Sequence, residues 1–272
     1  MLSYDMHVHS NVSLDSNTPM ADSIERALSL GLKGICFTDH LNLVYPEFTD
    51  KPDPNCYAEW AVSYKEIEKV RNLWGDQFDI LHGMELAEIT LDQNHAIECA
   101  KAPGIDYLLG ASHTAKGHAD FYYMTFPDQA FCHRITALYL DENIRLAKFN
   151  MADAIAHIGY PQRYMARQGF SIDLMDYEEQ LRELFTIMVH TGQALELNTS
   201  GLRQEGFGQS FPNLPALKLY KALGGEMVTI GSDAHRAGDV ASKFKEAGEF
   251  LCEAGFSHFT IFRQRKPEFI KL

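Results

Sequence analysis

Cysteine is scarce in this chain, and none of it is placed to work in pairs. Cys36, Cys56, Cys99, Cys132 and Cys252 are odd in number, lie far apart and form no C-x-x-C pair. That excludes a disulfide framework and a thiolate zinc knuckle, and it points to a reducing cytosol. Positive charge is also short, with 24 Lys and Arg against 37 Asp and Glu, a formal charge of -13. Such an acidic balance works against binding to nucleic acid or to anionic membrane surfaces. Long apolar runs are missing too: the longest, Leu184 to Leu195, is broken by His190, Thr191, Gly192 and Gln193 and is too short for a bilayer. With no basic-then-apolar leader at its start, the chain is expected to be neither secreted nor membrane-inserted but cytoplasmic. It shows no repeat, low-complexity tract or Gly/Ser linker, so one domain over residues 1–272 is expected.

What is present is the composition of a globular protein, 46% hydrophobic with 19 Gly and 10 Pro, enough for a sizeable core. Short apolar stretches alternate with segments of helical periodicity almost from end to end, the βα pattern of a parallel sheet or barrel. Strands are predicted near Tyr4 to Val8, Gly34 to Thr38, Asp79 to Glu85, Tyr107 to Ser112, Ala152 to His157, Ala194 to Asn198 and Met227 to Ser232. Helices are predicted over Met20 to Leu30, Ala58 to Trp74, Gln129 to Phe149, Tyr177 to Thr191, Pro215 to Leu223 and Ala237 to Cys252. In the second of these Trp60, Tyr64, Ile67, Val70, Leu73 and Trp74 fall at helical spacing and are read as a stripe facing the sheet. Tyr45 to Pro54 and Lys116 to Pro127 read as loops, the latter at the mouth of a barrel.

The chemistry is written at the strand ends. His7 and His9 close the first strand at i, i+2, a spacing that sends both imidazoles to one side of an extended chain. Asp15 follows in the loop, Asp39-His40 ends the second strand, Glu85 the third, His113 the fourth, His157 the fifth, and Asp233-Ala234-His235 the seventh. In a parallel barrel the carboxyl ends of the strands converge on one face, so residues more than 200 positions apart would share one pocket. Six histidines and three carboxylates make nine donors, enough for three ions, and an imidazole and carboxylate set without thiolate suits Zn, Fe or Mn. Any one of these histidines alone would more often be structural; the joint pattern is what points to a metal site. His82, His95, His133, His190 and His258 are read as packing or surface positions. His118 is a candidate substrate contact, and Asp5 either orients an imidazole or is a strand-edge charge.

These segments resemble the PHP superfamily, named for polymerase and histidinol phosphatase. The resemblance rests on His7-Val8-His9-Ser10, Thr38-Asp39-His40, Ser112-His113-Thr114 and Gly231-Ser232-Asp233-Ala234-His235, supported by Glu85 and His157. Within it the chain is most similar to the monofunctional histidinol-phosphate phosphatases, through Tyr160-Pro161-Gln162-Arg163, Glu196 to Arg203 and Phe262 to Pro267. The resemblance implies a distorted seven-stranded (β/α)7 barrel of TIM-like type, a trinuclear metal centre, and release of phosphate from L-histidinol phosphate in histidine biosynthesis. It groups His7, His9, Glu85 and Asp233 around one ion, Glu85, His113 and His157 around a second, and Asp15, His40 and His235 around a third. Some superfamily members carry His where this chain has Asp15.

A hydroxide bridging the first two ions would then attack phosphorus in line, with Arg163 and Arg203 gripping phosphate oxygens through paired charge-assisted bonds and Arg167 as their competitor. Asp233 or a metal-bound water would protonate the leaving alkoxide. Glu88 is the acid expected to face the cationic amine, with Asp92 and Glu205 as rivals. The other readings are a PHP-type enzyme for another phosphoester (phosphotyrosine, nucleotide or sugar phosphate), a non-catalytic replication module, and an amidohydrolase-type deacylase. The acidic charge, the full ligand set and the lack of an attached polymerase domain speak against the second. The third would want a bridging lysine, and no lysine stands at a ligand-bearing strand end.

Overall fold

Seven short parallel strands wrap into a nearly closed barrel with helices outside it in the computed structural model, which describes residues 2–44 and 56–272. In chain order the elements are β1 (Tyr4–Val8), α1 (Met20–Ser29), β2 (Gly34–Phe37), β3 (His40–Asn42), α2 (Cys56–Trp74), β4 (Asp79–Ala87) and α3 (Gln93–Cys99). Next come β5 (Tyr107–Ala111), α4 (Gln129–Phe149), β6 (Ala154–Ile155), α5 (Gln162–Arg167), α6 (Glu178–Thr191) and β7 (Ala194–Asn198). The chain ends with α7 (Leu214–Ala222), β8 (Val228–Gly231), α8 (Phe244–Glu253), β9 (His258–Arg263) and β10 (Lys266–Lys271). The order around the barrel is β1-β2-β4-β5-β6-β7-β8, with β3 paired to the outer half of β4. Closure falls between β1 and the end of β8. There Val8 bridges Ala234, the Asp233 N–H donates to the His7 carbonyl at 2.8 Å, and the His9 N–H donates to the Ala234 carbonyl at 2.9 Å.

The strands are continuous apolar runs because both of their faces are covered, and β1, β2, β5, β7 and β8 are buried throughout. Local chemistry sets the helix ends. Asp92, Asp128 and Asn213 accept the N–H groups of His95, Phe131 and Ala216 at the starts of α3, α4 and α7. Asn150 and Gly192 close α4 and α6 in the left-handed conformation.

Several expectations are corrected. The helix expected from Ala237 is a single 3-10 turn at Ala237–Asp239, and α8 starts only at Phe244. Ala241 and Lys243 have φ of 54° and 65°, and left-handed residues cannot continue a right-handed helix. In α2, Trp60, Ile67 and Val70 are buried as expected, but Leu73 is 69% exposed. The fifth strand shrinks to two residues. The small elements β3, α3 and α5 and the β9–β10 hairpin carry too weak a periodic signal to be read from sequence. The loop expected over Tyr45 to Pro54 lies outside the described residues.

The β9–β10 turn closes the end of the barrel where the strands begin. Arg263 reaches Asp79 at 2.5 Å, the Gln264 N–H donates to Asp106 at 3.0 Å, and Arg265 donates to Asp153 and to the Met151 carbonyl, both at 2.6 Å. Those three aspartates stand at or just before the starts of β4, β5 and β6. The tail segment Phe262 to Pro267 is therefore a plug, at the opposite end from the strand termini that carry the donors.

His82, in β4, is fully buried and stacks on Trp60 with ring centroids 3.9 Å apart. Ser63 donates to Asp39 at 3.2 Å and so accepts from His82 Nε2 at 3.0 Å, which leaves Nδ1 without a partner. Burial, helped by the Arg71 charge, depresses its pKa to about 3. A folded pKa below the unfolded value means that the stabilisation is complete above about pH 6.5 and is lost as the pH falls. The shift amounts to about 2 kcal/mol by pH 5. Thermal unfolding of wild type and His82→Phe from pH 8 to 5 should show a shallower decline in the variant; parallel curves would refute this assignment.

Candidate metal centre

Each donor stands where its strand ends, and the barrel turns these ends toward one point. His7 and His9 point from the end of β1 to the same side, and their Nε2 atoms lie 3.0 Å apart. From β4, Glu85 reaches between them, its Oε2 at 3.5 Å from each Nε2 and 2.9 Å from His40 Nδ1. Its Oε1 stands 3.2 Å from His113 Nε2 and 2.8 Å from His157 Nε2. Asp233 Oδ1 closes the set, 3.4 Å from His9 Nε2 and 3.8 Å from His7 Nε2. Toward solvent, Asp15 Oδ2 stands 2.9 Å from His235 Nε2 and 3.4 Å from His40 Nε2. All nine donors expected from the sequence meet here. Three overlapping groups have ligand atoms within 4.8 Å of one another: His7, His9 and Glu85; His40, Glu85 and His113; and His9, Asp15, His40 and His235. His9 and His40 each fall in two groups, where one apiece was expected.

The hydrogen-bond network shows that these donors are arranged for cations. His7 Nδ1 meets Glu196 Oε1 at 2.5 Å, which puts its proton on Nδ1. Ser13 gives its hydroxyl proton to Asp39, at 3.0 Å, and so accepts from His9 Nδ1, at 3.1 Å. In the neutral state both Nε2 lone pairs therefore face each other across 3.0 Å, an arrangement that needs a proton or a metal ion between them. Glu85 Oε2 and the His40 Nδ1 that stands 2.9 Å from it are both buried without a hydrogen bond, although buried polar atoms left unsatisfied are costly. Ligand atoms 2.0–2.2 Å from a tetrahedral ion stand roughly 3.3–3.6 Å apart, and Oε2 lies at that spacing from His7 and His9. The residues fit a group of divalent transition ions.

Electrostatics agree. Burial alone would raise the pKa values of Glu85 and Asp233, but the surrounding imidazoles outweigh it and hold both well below the usual carboxylate range. Burial and the neighbouring His235 and His40 push His9 down to about 3, which keeps it a neutral ligand. For His113, burial opposes charging, but Glu85 overrides it and moves the pKa up to about 9. The negative charge of Glu85 that holds a proton on His113 also attracts a metal cation, which would take that proton's place on the imidazole.

A cavity of about 210 Å³ lies against the donors and shares its wall with one of about 770 Å³. Arg163 and Arg167 line both, Arg203 the larger. Arg203 is fixed by donating to the carbonyls of Ser232, at 2.6 Å, and Asp233, at 3.2 Å. Arg163 donates to Gln204 and Ser200 and lies over the rings of Tyr160, Tyr164 and Phe211.

Other candidates are not brought to the cavity. Glu88 is 5% exposed, and its Oε1 accepts the His113 backbone N–H at 2.8 Å. Burial raises its pKa to about 7 against the opposing His113 charge; it braces His113 just beyond β5 and lines neither cavity. His118 packs edge-on against Phe131, Asp92 caps α3, and Glu205 is exposed on a turn. Asp5 orients no imidazole; its oxygens accept the backbone N–H groups of His7, Ser232 and Ala241. The carboxylate that orients His7 is Glu196, which the sequence marks only as the start of the segment Glu196 to Arg203 and assigns no role. Its Oε2 also accepts the His157 N–H, at 2.7 Å. Gly231 makes room for this pair, since a Cβ there would overlap both His7 and Glu196.

The sequence profile of the family described as "PHP domain" matches residues 5–200. A probable histidinol-phosphatase of Clostridium acetobutylicum is 29% identical over 90% of this chain and 91% of its own length. One of Thermotoga maritima is 27% identical over 94% of each. The crystal structure of histidinol phosphate phosphatase from Lactococcus lactis, complexed with zinc, L-histidinol and phosphate, superposes with a TM-score of 0.79 at 22% identity, covering 98% of this chain and 100% of that one.

Glu196→Gln tests the orientation of His7. The amide oxygen can serve His7 Nδ1 or the His157 N–H, while its NH2 must face the other donor. Loss of such an orienting partner typically costs 10–100-fold in metal affinity. Titration against a chromophoric chelator should read a loss of about that size; unchanged affinity would show that Glu196 does not set the ligand.

Proposed function

This chain belongs to the PHP domain family, and from that footing we propose that it hydrolyses L-histidinol phosphate to L-histidinol and phosphate in histidine biosynthesis. The observation that carries the reading is the nine-donor centre, buried at its base and open at Asp15, His40 and His235, which shares a cavity with Arg163 and Arg203. The substrate follows the activity named for relatives aligned over nine-tenths of the chain.

His7, His9, Glu85 and Asp233 would hold one divalent ion, Glu85, His113 and His157 a second, and Asp15, His40 and His235 a third. The donors suit zinc, iron or manganese. When bound, such ions supply activated water near neutral pH and neutralise charge on a phosphoryl group. The protein does the rest. Glu196 and Ser13 keep the proton of His7 and of His9 on Nδ1, so that both present Nε2 as ligand. Arg163 and Arg203 take phosphate oxygens, and because both guanidiniums are already fixed, little side-chain freedom is lost on binding. The Asp233 carboxylate stands between the metal donors and Arg163 Nη1, with Oδ2 at 3.9 Å. From there it accepts the proton that water releases and returns it to the leaving oxygen. Tyr160, against His113 and His157, walls the reacting phosphate from solvent on one side.

We read residues 1–272 as one domain acting in the cytoplasm, where Cys36, Cys99, Cys132 and Cys252 stay reduced. The partner is a small phosphate monoester, not nucleic acid or a membrane; among the described residues no helix is long and apolar enough to cross a bilayer.

The reading is tested by phosphate release from L-histidinol phosphate and a panel of other phosphomonoesters after metal reconstitution. Wild type should prefer L-histidinol phosphate and His113→Ala should lose activity. Arg203→Ala should raise KM about tenfold or more through loss of a charged hydrogen bond. Faster turnover of another ester would keep the chemistry and discard the substrate; no hydrolysis with metal bound would discard both.

A further inference from the structure

The strand that supplies no metal donor, β7, carries two buried polar side chains at i, i+2, Glu196 and Asn198, and this spacing turns both to the same side of an extended chain. Glu196 orients His7. Asn198, at the end of the strand, has no solvent exposure, and a buried amide needs both its donors and its acceptor matched. The Ser200 backbone N–H, which can only donate, settles which way this amide points. Oδ1 accepts it at 2.9 Å and accepts the Ser200 hydroxyl at 2.7 Å. Nδ2 therefore faces two carboxylates, Glu196 Oε2 at 3.3 Å and Asp233 Oδ2 at 3.5 Å.

Because Ser200 gives its hydroxyl proton to Asn198, its oxygen is left to accept from Arg163 Nη1, at 3.4 Å. The Asn198 backbone exchanges hydrogen bonds of 2.8 and 2.9 Å with Phe211, whose ring centroid lies 5.7 Å from the Arg163 guanidinium. Two supports of Arg163 thus run back to Asn198, while its amide runs on to Asp233, whose Oδ2 stands 3.9 Å from Arg163 Nη1. Asp233 has φ of 54°, a conformation that a residue other than glycine keeps only when its surroundings hold it there. The order of strands explains the placement. Arg163 follows β6, Asp233 follows β8, and β7 lies between them, so one side chain at the end of β7 reaches both.

We propose that Asn198 is the positioning residue that sets Arg163, the phosphate grip, in register with Asp233, which faces the metal donors. The inference rests on the reading of the site as a phosphatase centre and deepens it. Reaction at phosphorus demands close alignment of the group that holds the phosphate with the groups that handle the attacking oxygen. Asn198 lines neither cavity; it acts through Ser200 and Phe211 on one side and through Asp233 on the other. A purely structural asparagine would only satisfy the turn at Ser200–Arg203 and the Glu196 oxygen.

The test measures the affinity of metal-reconstituted protein for inorganic phosphate by calorimetry, together with kcat and KM for L-histidinol phosphate. Wild type is compared with Asn198→Ala, Ser200→Ala, Arg163→Ala and the double variants that combine Arg163→Ala with each of the others. Asn198→Ala and Ser200→Ala should each weaken phosphate binding and raise KM about threefold to tenfold. In the Arg163→Ala background the same substitutions should change phosphate binding less than about twofold, since a support has no effect once the group it supports is gone. Asn198→Ala, unlike Ser200→Ala, should also lower kcat, because only it releases Asp233. Ser200→Ala keeps the Asn198 amide and the turn, so it decides the matter if Asn198→Ala does not fold. Equal losses with and without Arg163, or wild-type phosphate affinity in Ser200→Ala, would overturn the inference; so would a lower melting temperature as the only effect of Asn198→Ala. If wild type cleaves another ester and not L-histidinol phosphate, the substrate reading falls, and the phosphate affinities still decide the role of Asn198.

Discussion

A carboxylate with no solvent exposure, Asp5, holds the two ends of the barrel together. Its oxygens accept the backbone N–H groups of Ser232 at 2.9 Å, Ala241 at 2.8 Å and His7 at 3.4 Å. Burying such a group is costly unless hydrogen bonds replace its water, and here burial still raises its pKa despite those three donors. What the bonds secure is the seam between β1 and the end of β8. Across that seam His7 and His9 come beside Asp233 and His235, and the nine donors become one centre.

The acidic balance of the chain is spent in two places with different chemistry. At the end where the strands begin, Asp79, Asp106 and Asp153 meet the guanidiniums and backbone of the β9–β10 turn and close the barrel. At the other end Glu85, Asp233 and Asp15 meet imidazoles, whose neutral form is itself a ligand. Arginine satisfies a carboxylate permanently; histidine leaves it free to share a metal ion. The choice of partner separates a structural end from a reactive one within a single set of parallel strands.

Behind the centre the supporting groups form a continuous chain. Ser13 links His9 to Asp39, and Ser63 links Asp39 to His82 and its stack on Trp60. The ligands are thus oriented by the barrel and its outer helices together. Glu196 performs the same service for His7 and for the backbone at His157, from a strand that supplies no ligand.

The sequence by itself determined the alternation of strands and helices and the nine donors, because a doubly buried strand needs an unbroken apolar run and a ligand at its end is the residue where that run stops. His7 and His9 at i, i+2, and Asp233 and His235 beyond β8, were legible on that ground alone. Only the tertiary structure decided what those residues face. Glu88, directly after β4, and Asp120, in the loop that follows β5, are both acids on the strand-end side of the barrel, yet Glu88 has φ of 59° and turns inward to the His113 N–H, while Asp120 caps a turn on the cavity wall. Glu196 looked like any polar residue of β7, and its role exists only because barrel closure carries His7 to it across 189 positions. Local sequence records which groups a strand offers; closure of the barrel selects their partners, since those contacts join residues that no local pattern relates.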